Sequence, residues 1–376
     1  MDCSHVFDFK VKRLIVVFTL FLAFFSVTSP AFSQVDTVVT ATDAHAEPKG
    51  KEKFDIGKFA LHHIADSHQW HVIGDVYIHL PIILYTSNGI VNFSSEAFQY
   101  NDDAQVVVEE GGQRFVKFHE KIYYASAVSN AHGQYVDLDE KHHATNSRPL
   151  DISVTKNVVT LLFSIVILLV VFLSVAKGYK TNHGKSPKGI QAWMEPIIIF
   201  VRDDIAKPNL GHKYERFMPY LLTVFFFIWF NNMLGQIPFL PGGANLTGNI
   251  AVTMILAIAT FLLTIFNGNK YYWKHIFAPD VPKLMWIVMI PVEIVGIFTK
   301  PIALMIRLFA NITAGHILML SLICLIFVFN SLYIAPISIA FAVFIGAIEL
   351  LVAFIQAFIF TILSALFIGM AIEEHH

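Results

Sequence analysis

Between Leu284 and Ile372 the chain is almost wholly apolar, and its formally charged residues there are Glu293, Lys300, Arg307 and Glu349. His316, Asn311 and Gln356 accompany them, and Arg307 is the single arginine in residues 217–376. These residue types are suited to holding and passing protons. A guanidinium keeps its proton under ordinary conditions, so Arg307 is a poor relay and a good fixed charge. In hydrocarbon such a charge is costly unless an anion or a polar lining accompanies it. An imidazole titrates near neutral pH, so His316 beside the Glu349 carboxyl can accept and hand on a proton. His316 follows Arg307 by nine residues, which places it about 180° around a helix from that charge. The sequence therefore predicts two separate stations. Glu293, fourteen residues before Arg307, is a candidate for a third at the other end.

Two over-long apolar segments must position these groups, Leu284–Phe329 and Ile334–Ile372. A helix of the first length would extend ~69 Å, more than twice a hydrocarbon core of ~30 Å. Either each segment breaks, or each is one steeply tilted helix. A break at Thr299-Lys300-Pro301 would leave Arg307 free to snorkel to a nearby surface. Folded instead as an antiparallel hairpin about a turn near Leu332, the segments bring Gln356 opposite Arg307, Glu349 opposite His316 and Glu373 opposite Glu293. All three pairs share one register to within about a helical turn. The hairpin gives every intramembrane polar group a partner, as burial in lipid requires.

Composition sets the class. Of 376 residues 55% are hydrophobic and 14% charged, whereas soluble domains average roughly 45–50% apolar and 25% charged. A net charge of −2 argues against a nucleic-acid partner. Two cysteines, Cys3 and Cys324, build neither a disulfide framework nor a thiolate metal site. Membrane lipid is the expected surrounding, and no cofactor is expected.

Residues 1–33 are predicted to be a cleaved signal peptide: Lys10, Lys12 and Arg13, an apolar stretch Leu14–Val27, then Ala31-Phe32-Ser33. A retained first span is the alternative, short for a bilayer. Residues 34–150 form a polar extracytoplasmic domain, mainly β, that opens with a leader over Val35–Ala46. It holds ten of the seventeen histidines. Two hairpins are predicted there, one around Asn88-Gly89 and one around Gly111-Gly112 between Val106–Val108 and Phe115–Tyr124. His62, His63, His68 and His71 lack the spacing of a metal site and read as surface histidines.

Residues 151–376 form an all-α polytopic membrane domain with five crossings: Val158–Ala176, Phe217–Leu240, Ile250–Phe266 and the two long segments. Residues 176–216 carry eight Lys or Arg, whereas Pro241–Gly248 and Asn330–Pro336 carry none. The positive-inside rule puts the basic stretch and the C-terminus in the cytoplasm. Between the first two spans Ile190, Trp193, Met194, Ile197, Ile198, Val201 and Ile205 recur at helical spacing, predicting a helix at the membrane interface. Asn231, Asn232 and Gln236, near the outer end of the second span, either line an entrance or hydrogen-bond between helices.

The run Glu293-Ile-Val-Gly-Ile-Phe-Thr-Lys300-Pro301-Ile-Ala-Leu-Met-Ile-Arg307-Leu-Phe-Ala-Asn311-Ile-Thr-Ala-Gly315-His316, with Gln356-Ala-Phe-Ile-Phe360 and the terminal Glu-Glu-His, resembles subunit a of F-type rotary ATP synthases over residues 151–376. The resemblance implies a bacterial inner-membrane protein that is not itself an enzyme. It also implies a ring of c subunits, a peripheral stalk b subunit and the rest of the ATP synthase as partners. Arg307 would face a rotor carboxylate, supported by Gln356 and Asn311. His316 and Glu349 would relay protons in an outer half-channel, with Asn231, Asn232 and Gln236 at its entrance, and Glu293 would serve the cytoplasmic half-channel. Many bacterial relatives carry the acid and the imidazole exchanged between positions 316 and 349. No Gly-x-x-x-x-Gly-Lys-[Ser/Thr] occurs, so ATP chemistry belongs elsewhere. An ion-coupled transporter or stand-alone channel is the competing class, but no internal repeat supports it.

Overall fold

The computed structural model describes residues 66–373, except 74–75, 141, 182–184, 238–244, 278–281, 283–284 and 330–332. The expected signal peptide, the leader, His62, His63 and the C-terminal Glu374-His375-His376 lie outside the described residues.

Residues 69–151 form short antiparallel strands: β1 (Gln69–Ile73), β2 (Val76–His79), β3 (Pro81–Thr86), β4 (Gly89–Ser94), β5 (Val108–Glu110), β6 (Gln113–Phe118), β7 (Lys121–Tyr124) and β8 (Leu150–Asp151). β3 and β4 join through Ser87-Asn88, with Thr86 Oγ1 donating to the Gly89 carbonyl at 2.9 Å. β5 and β6 join through Gly111 and Gly112, at φ 58° and 71°, the left-handed geometry that a two-residue hairpin loop requires. The strands bury Ile82, Leu84, Val91, Phe98, Phe115 and Ile122 in a common core.

The expected run Phe115–Tyr124 is two strands rather than one. It reverses at His119 and Glu120, both at positive φ, a geometry that usually calls for glycine. Asp102 supplies what glycine does not. Its carbonyl accepts from His119 N at 3.1 Å, and its carboxylate accepts from Glu120 N at 2.7 Å. Val76–Tyr85 is likewise interrupted, at Leu80, and β2 pairs back onto β1.

β8 hydrogen-bonds to β3 and runs within four residues into the first long helix. The helices are α1 (Lys156–Thr181), α2 (Ile190–Phe200), α3 (Tyr214–Gln236), α4 (Ile250–Phe266), α5 (Lys270–Phe277), α6 (Trp286–Phe329) and α7 (Ala335–Ile372). A π-helical turn Val201–Ala206 continues α2. Among the described residues four helical stretches are long and apolar enough to cross a membrane, or five if α4 and α5, bent by 100°, make one span. Met194, Ile197, Ile198, Val201 and Ile205 of the α2 stripe pack into the core, while Ile190 and Trp193 stay exposed and Gln191 is buried.

α3 lies at the centre, with Phe225, Phe226, Phe227 and Ile228 fully buried. Phe354 of α7 meets Phe225 and Trp229 edge-on at 5.6 and 5.7 Å. These contacts fall in the favourable range for offset aromatic pairs. Polar side chains stitch the helices together: Tyr220 with Thr260 at 2.7 Å, and Thr260 with Ser364 at 3.2 Å. α6 is a single helix of 44 residues that runs through Pro291 and Pro301. The break considered at Thr299-Lys300-Pro301 is therefore absent. α7, with 38 residues, packs antiparallel along α6, and Ser338 of α7 donates to the Leu322 carbonyl of α6 near the turn. At ~66 Å the longer helix fits a hydrocarbon core of ~30 Å only by steep tilt.

Candidate functional site

α6 presents two opposite faces, and the chemistry divides between them. Arg307 is on the exposed face. Among the described residues no carboxylate lies within ion-pair distance of it. Asn311, one turn on, is also exposed but stands between the two faces, since it lines the cavity on the other side as well. The surroundings are apolar, with Ile302, Ile306 and Leu318 of α6 and Phe344, Ile348, Leu351 and Ile355 of α7 exposed. The result is a broad apolar surface holding one guanidinium.

His316 points the other way and is 9% exposed. Its ring lies against the Gly235 backbone carbonyl at the end of α3. Glu349, also buried, reaches α6 beside it. A Cβ on Gly315 would stand 2.5 Å from Glu349 Oε1, so the missing side chain lets the carboxyl reach the helix backbone. Neither carboxyl oxygen has a hydrogen-bond partner among the described residues. His316 and Glu349 line one small cavity with Asn311, Asn232, Gln236 and Asn245.

Of the three residues of α3 singled out from sequence, Asn232 and Gln236 line that cavity. Asn232 also serves between helices, donating to the Ala353 carbonyl at 3.4 Å and accepting from Thr247. Asn231 turns back to the Phe227 carbonyl at 2.7 Å. Its Oδ1 is left buried without a partner among the described residues. Gln356 is buried two turns beyond Glu349 on α7, and no hydrogen bond joins it to Arg307. Glu293 is half-buried on α6, close enough to Tyr272 of α5 to act on it electrostatically. It lies ~35 Å from His316 along the helix axis, about one membrane thickness away. A second cavity near that end is lined by Tyr272, Lys300, Thr260 and Thr264.

Sequence reading missed Asn245, Thr313 and the buried polar start of α1. Lys156, Thr160 and Ser164 recur every four residues, which is a legible signal. Among the described residues no group of three or more metal-binding side chains occurs. His68, expected at the surface, is instead buried at 3% exposure and pairs with Asp151 at 3.3 Å.

A bundle of long apolar helices enclosing a buried acid–imidazole cavity, with one arginine on the exposed face of its longest helix, defines a polytopic membrane protein built around ionisable groups. Residues 158–369 match the ATP synthase A chain family, and the chain belongs to that family. It is 52% identical over 233 residues to an ATP synthase subunit a of Chloroherpeton thalassium, covering 60% of this chain and 69% of that one. To the subunit a of Chlorobium phaeobacteroides it is 50% identical over 234 residues, covering 60% and 67%. A subunit a of Anaeromyxobacter sp. is 43% identical over 256 residues, covering 65% and 61%. Residues 59–152 match a domain of unknown function, DUF8433.

Proposed function

We propose that this chain is the proton-translocating stator subunit of an ATP synthase, coupling proton flow to ATP made on other subunits. The observation that carries this reading is the division of α6. Arg307 stands on an exposed apolar surface without an ion-pair partner among the described residues, while His316 and Glu349 meet in a cavity on the opposite side.

The exposed face of α6 and α7 is the docking surface for a ring of c subunits, and a peripheral stalk b subunit holds the chain still. A ring carboxylate passing Arg307 is stabilised as the anion and gives up its proton. Turned toward lipid, it must stay neutral. Asn232, Gln236, His316 and Glu349 form the outer half-channel, with Asn231 beside it, and Glu293 serves the cytoplasmic one. Gln356 and Asn311 hold the surroundings of Arg307. The fixed charge between the two half-channels blocks direct leakage. The basic stretch 176–216 supports a cytoplasmic C-terminus and residues 34–150 outside a bacterial inner membrane, after a signal peptide over residues 1–33. Each proton moved down the potential supplies ~2.3 kcal/mol per 100 mV.

The test replaces Arg307 with alanine in the assembled complex and follows ATP-driven pumping and passive leak in membrane vesicles. Coupled pumping is expected to vanish while leak persists or rises. Unchanged coupling overturns the assignment.

A further inference from the structure

The first turns of α1 are polar and buried, whereas polar side chains at the end of a membrane helix usually reach toward water. Lys156, Asn157 and Thr160 are 8%, 6% and 0% exposed, so they face protein. A buried hydroxyl in such a helix normally donates to the carbonyl one turn back, as Thr361, Thr264 and Ser364 do here. Thr160 does not. Its Oγ1 is buried without a partner among the described residues, and so is Asn157 Oδ1. Unpaired buried oxygens are expensive, and water is the partner of the right size for a small polar site.

Their place in the fold gives these atoms meaning. Phe172 of α1 meets Phe226 of α3 at 4.8 Å, and Lys156 and Gly235 both stand close to His316, so α1 runs antiparallel to α3. The start of α1 is therefore level with the end of α3, where Asn231, Asn232 and Gln236 stand. Asn231 has an unpaired oxygen of its own, and Lys156 is close enough to His316 to act on it electrostatically. From the opposite side Asp66 clamps the same turn, accepting from Thr155 Oγ1 at 2.9 Å and from Asn157 N at 3.2 Å.

We propose that Asn157 and Thr160 form the hydrated mouth of the passage leading to His316 and Glu349, and that Asp66 positions that mouth. Protons thus cross between α1 and α3, beneath residues 66–155. This rests on the proton-translocating role proposed above and adds to it a lining from the first helix and a structural task for residues 66–155. Thr160 and Asn157 order water, and Asp66 is a positioning residue that acts through the backbone of residue 157.

The experiment uses the assembled ATP synthase in membrane vesicles, with Cys3 and Cys324 replaced by serine. Thr160→Cys and Asn157→Cys are compared with Leu162→Cys, whose side chain is 50% exposed on the outer flank of α1. A small cationic methanethiosulfonate reacts with thiolate, so its rate reports hydration. Cysteines at 157 and 160 are expected to react much faster than cysteine at 162. Modification at 160 is expected to remove most of the pumping measured beforehand. Equal reaction rates, or modification without loss of pumping, overturn the proposal. If Thr160→Cys does not assemble, Thr160→Ser and Thr160→Val replace it in vesicles stripped of the catalytic subunits. Serine is expected to conduct more protons than valine, and equal conduction overturns the proposal. If Arg307→Ala abolishes coupling while the position-160 variants show no effect, the mouth alone is wrong. An unaffected Arg307→Ala removes the function itself.

Discussion

Glu349 reaches α6 because residue 315 has no side chain. A methyl group there would meet Oε1 at 2.5 Å, and the carboxyl, at the end of a flexible stem, is what would move. Gly315→Ala is therefore expected to leave the complex assembled and to slow ATP-driven pumping several-fold, read in the same vesicles. A larger test concerns the pair itself. If His316 and Glu349 exchange protons with each other, removing either should lower flux by on the order of a hundredfold, the range for a positioned acid or base. The double exchange His316→Glu with Glu349→His keeps one acid and one imidazole in the cavity. It should recover more ATP synthesis than either single exchange, and recovery no better than the singles would show that the two do not act as a unit. The nine-residue spacing already implied that Arg307 and His316 occupy opposite faces, and the structure has one exposed and the other buried. That much was legible because helical periodicity depends on nothing but residue number.

At the scale of elements, legibility depended on whether a segment carried its own cause. The apolar length of α6 gave its ends to within a few residues, and the polar pairings favoured an unbroken helix despite Pro291 and Pro301. A proline removes one hydrogen bond and crowds one carbonyl. α6 is mostly exposed around both prolines, and in hydrocarbon, where no water can take up a broken turn, the backbone keeps its remaining helical hydrogen bonds. The β6–β7 reversal was illegible for the opposite reason. Nothing in His119-Glu120 asks for a turn, and the support comes from Asp102, sixteen residues before Phe118. Asp102→Ala should destabilise this hairpin by about 1–3 kcal/mol, the range for orphaning a buried donor. The measurement is amide hydrogen exchange across β6 and β7 in the full chain. Unchanged protection would mean that the strands, not Asp102, hold the turn. Interhelical links such as Thr260 with Ser364 were equally hidden, since each needs two distant segments in register.

Across the whole molecule, the junction between residues 66–155 and the helices is built from ionisable groups with opposite habits. Burial pushes the Asp66 carboxyl above the usual aspartate range, against the pull of its hydrogen bonds from Thr155 and Asn157. Burial also works upward on Asp151, but the hydrogen bond and charge of His68, with Ser153, outweigh it and hold that carboxyl below the usual range. The signs follow from linkage. The stability that Asp151 contributes is complete above the ordinary aspartate pKa and is lost as pH falls through its lowered value. The contribution of Asp66 is complete below the ordinary value and is lost as pH rises through its raised one. Amide protection at Ile152, Val154 and Lys156, whose N–H groups bond to Ile83, Pro81 and Ser67, should therefore peak near the ordinary aspartate pKa of about 4. Asp151→Asn should remove the acid-side fall, and a profile unchanged by it would exclude that carboxyl as the cause.

A partner that turns must be resisted. In the function proposed above, each step of a ring past Arg307 would exert a reaction torque on the stationary side. The face that receives it belongs to two helices of 44 and 38 residues without a break in either. α7 is braced at mid-length by the Asn232 bond to the Ala353 carbonyl, and near its end Asn269 N bonds to the Ala371 carbonyl at 2.8 Å. A rod held at two distant points bends little, so the work of each step is not dissipated as elastic slack in the stator. Loosening either brace should show itself as slippage under back-pressure from the proton gradient long before it shows as a loss of folding.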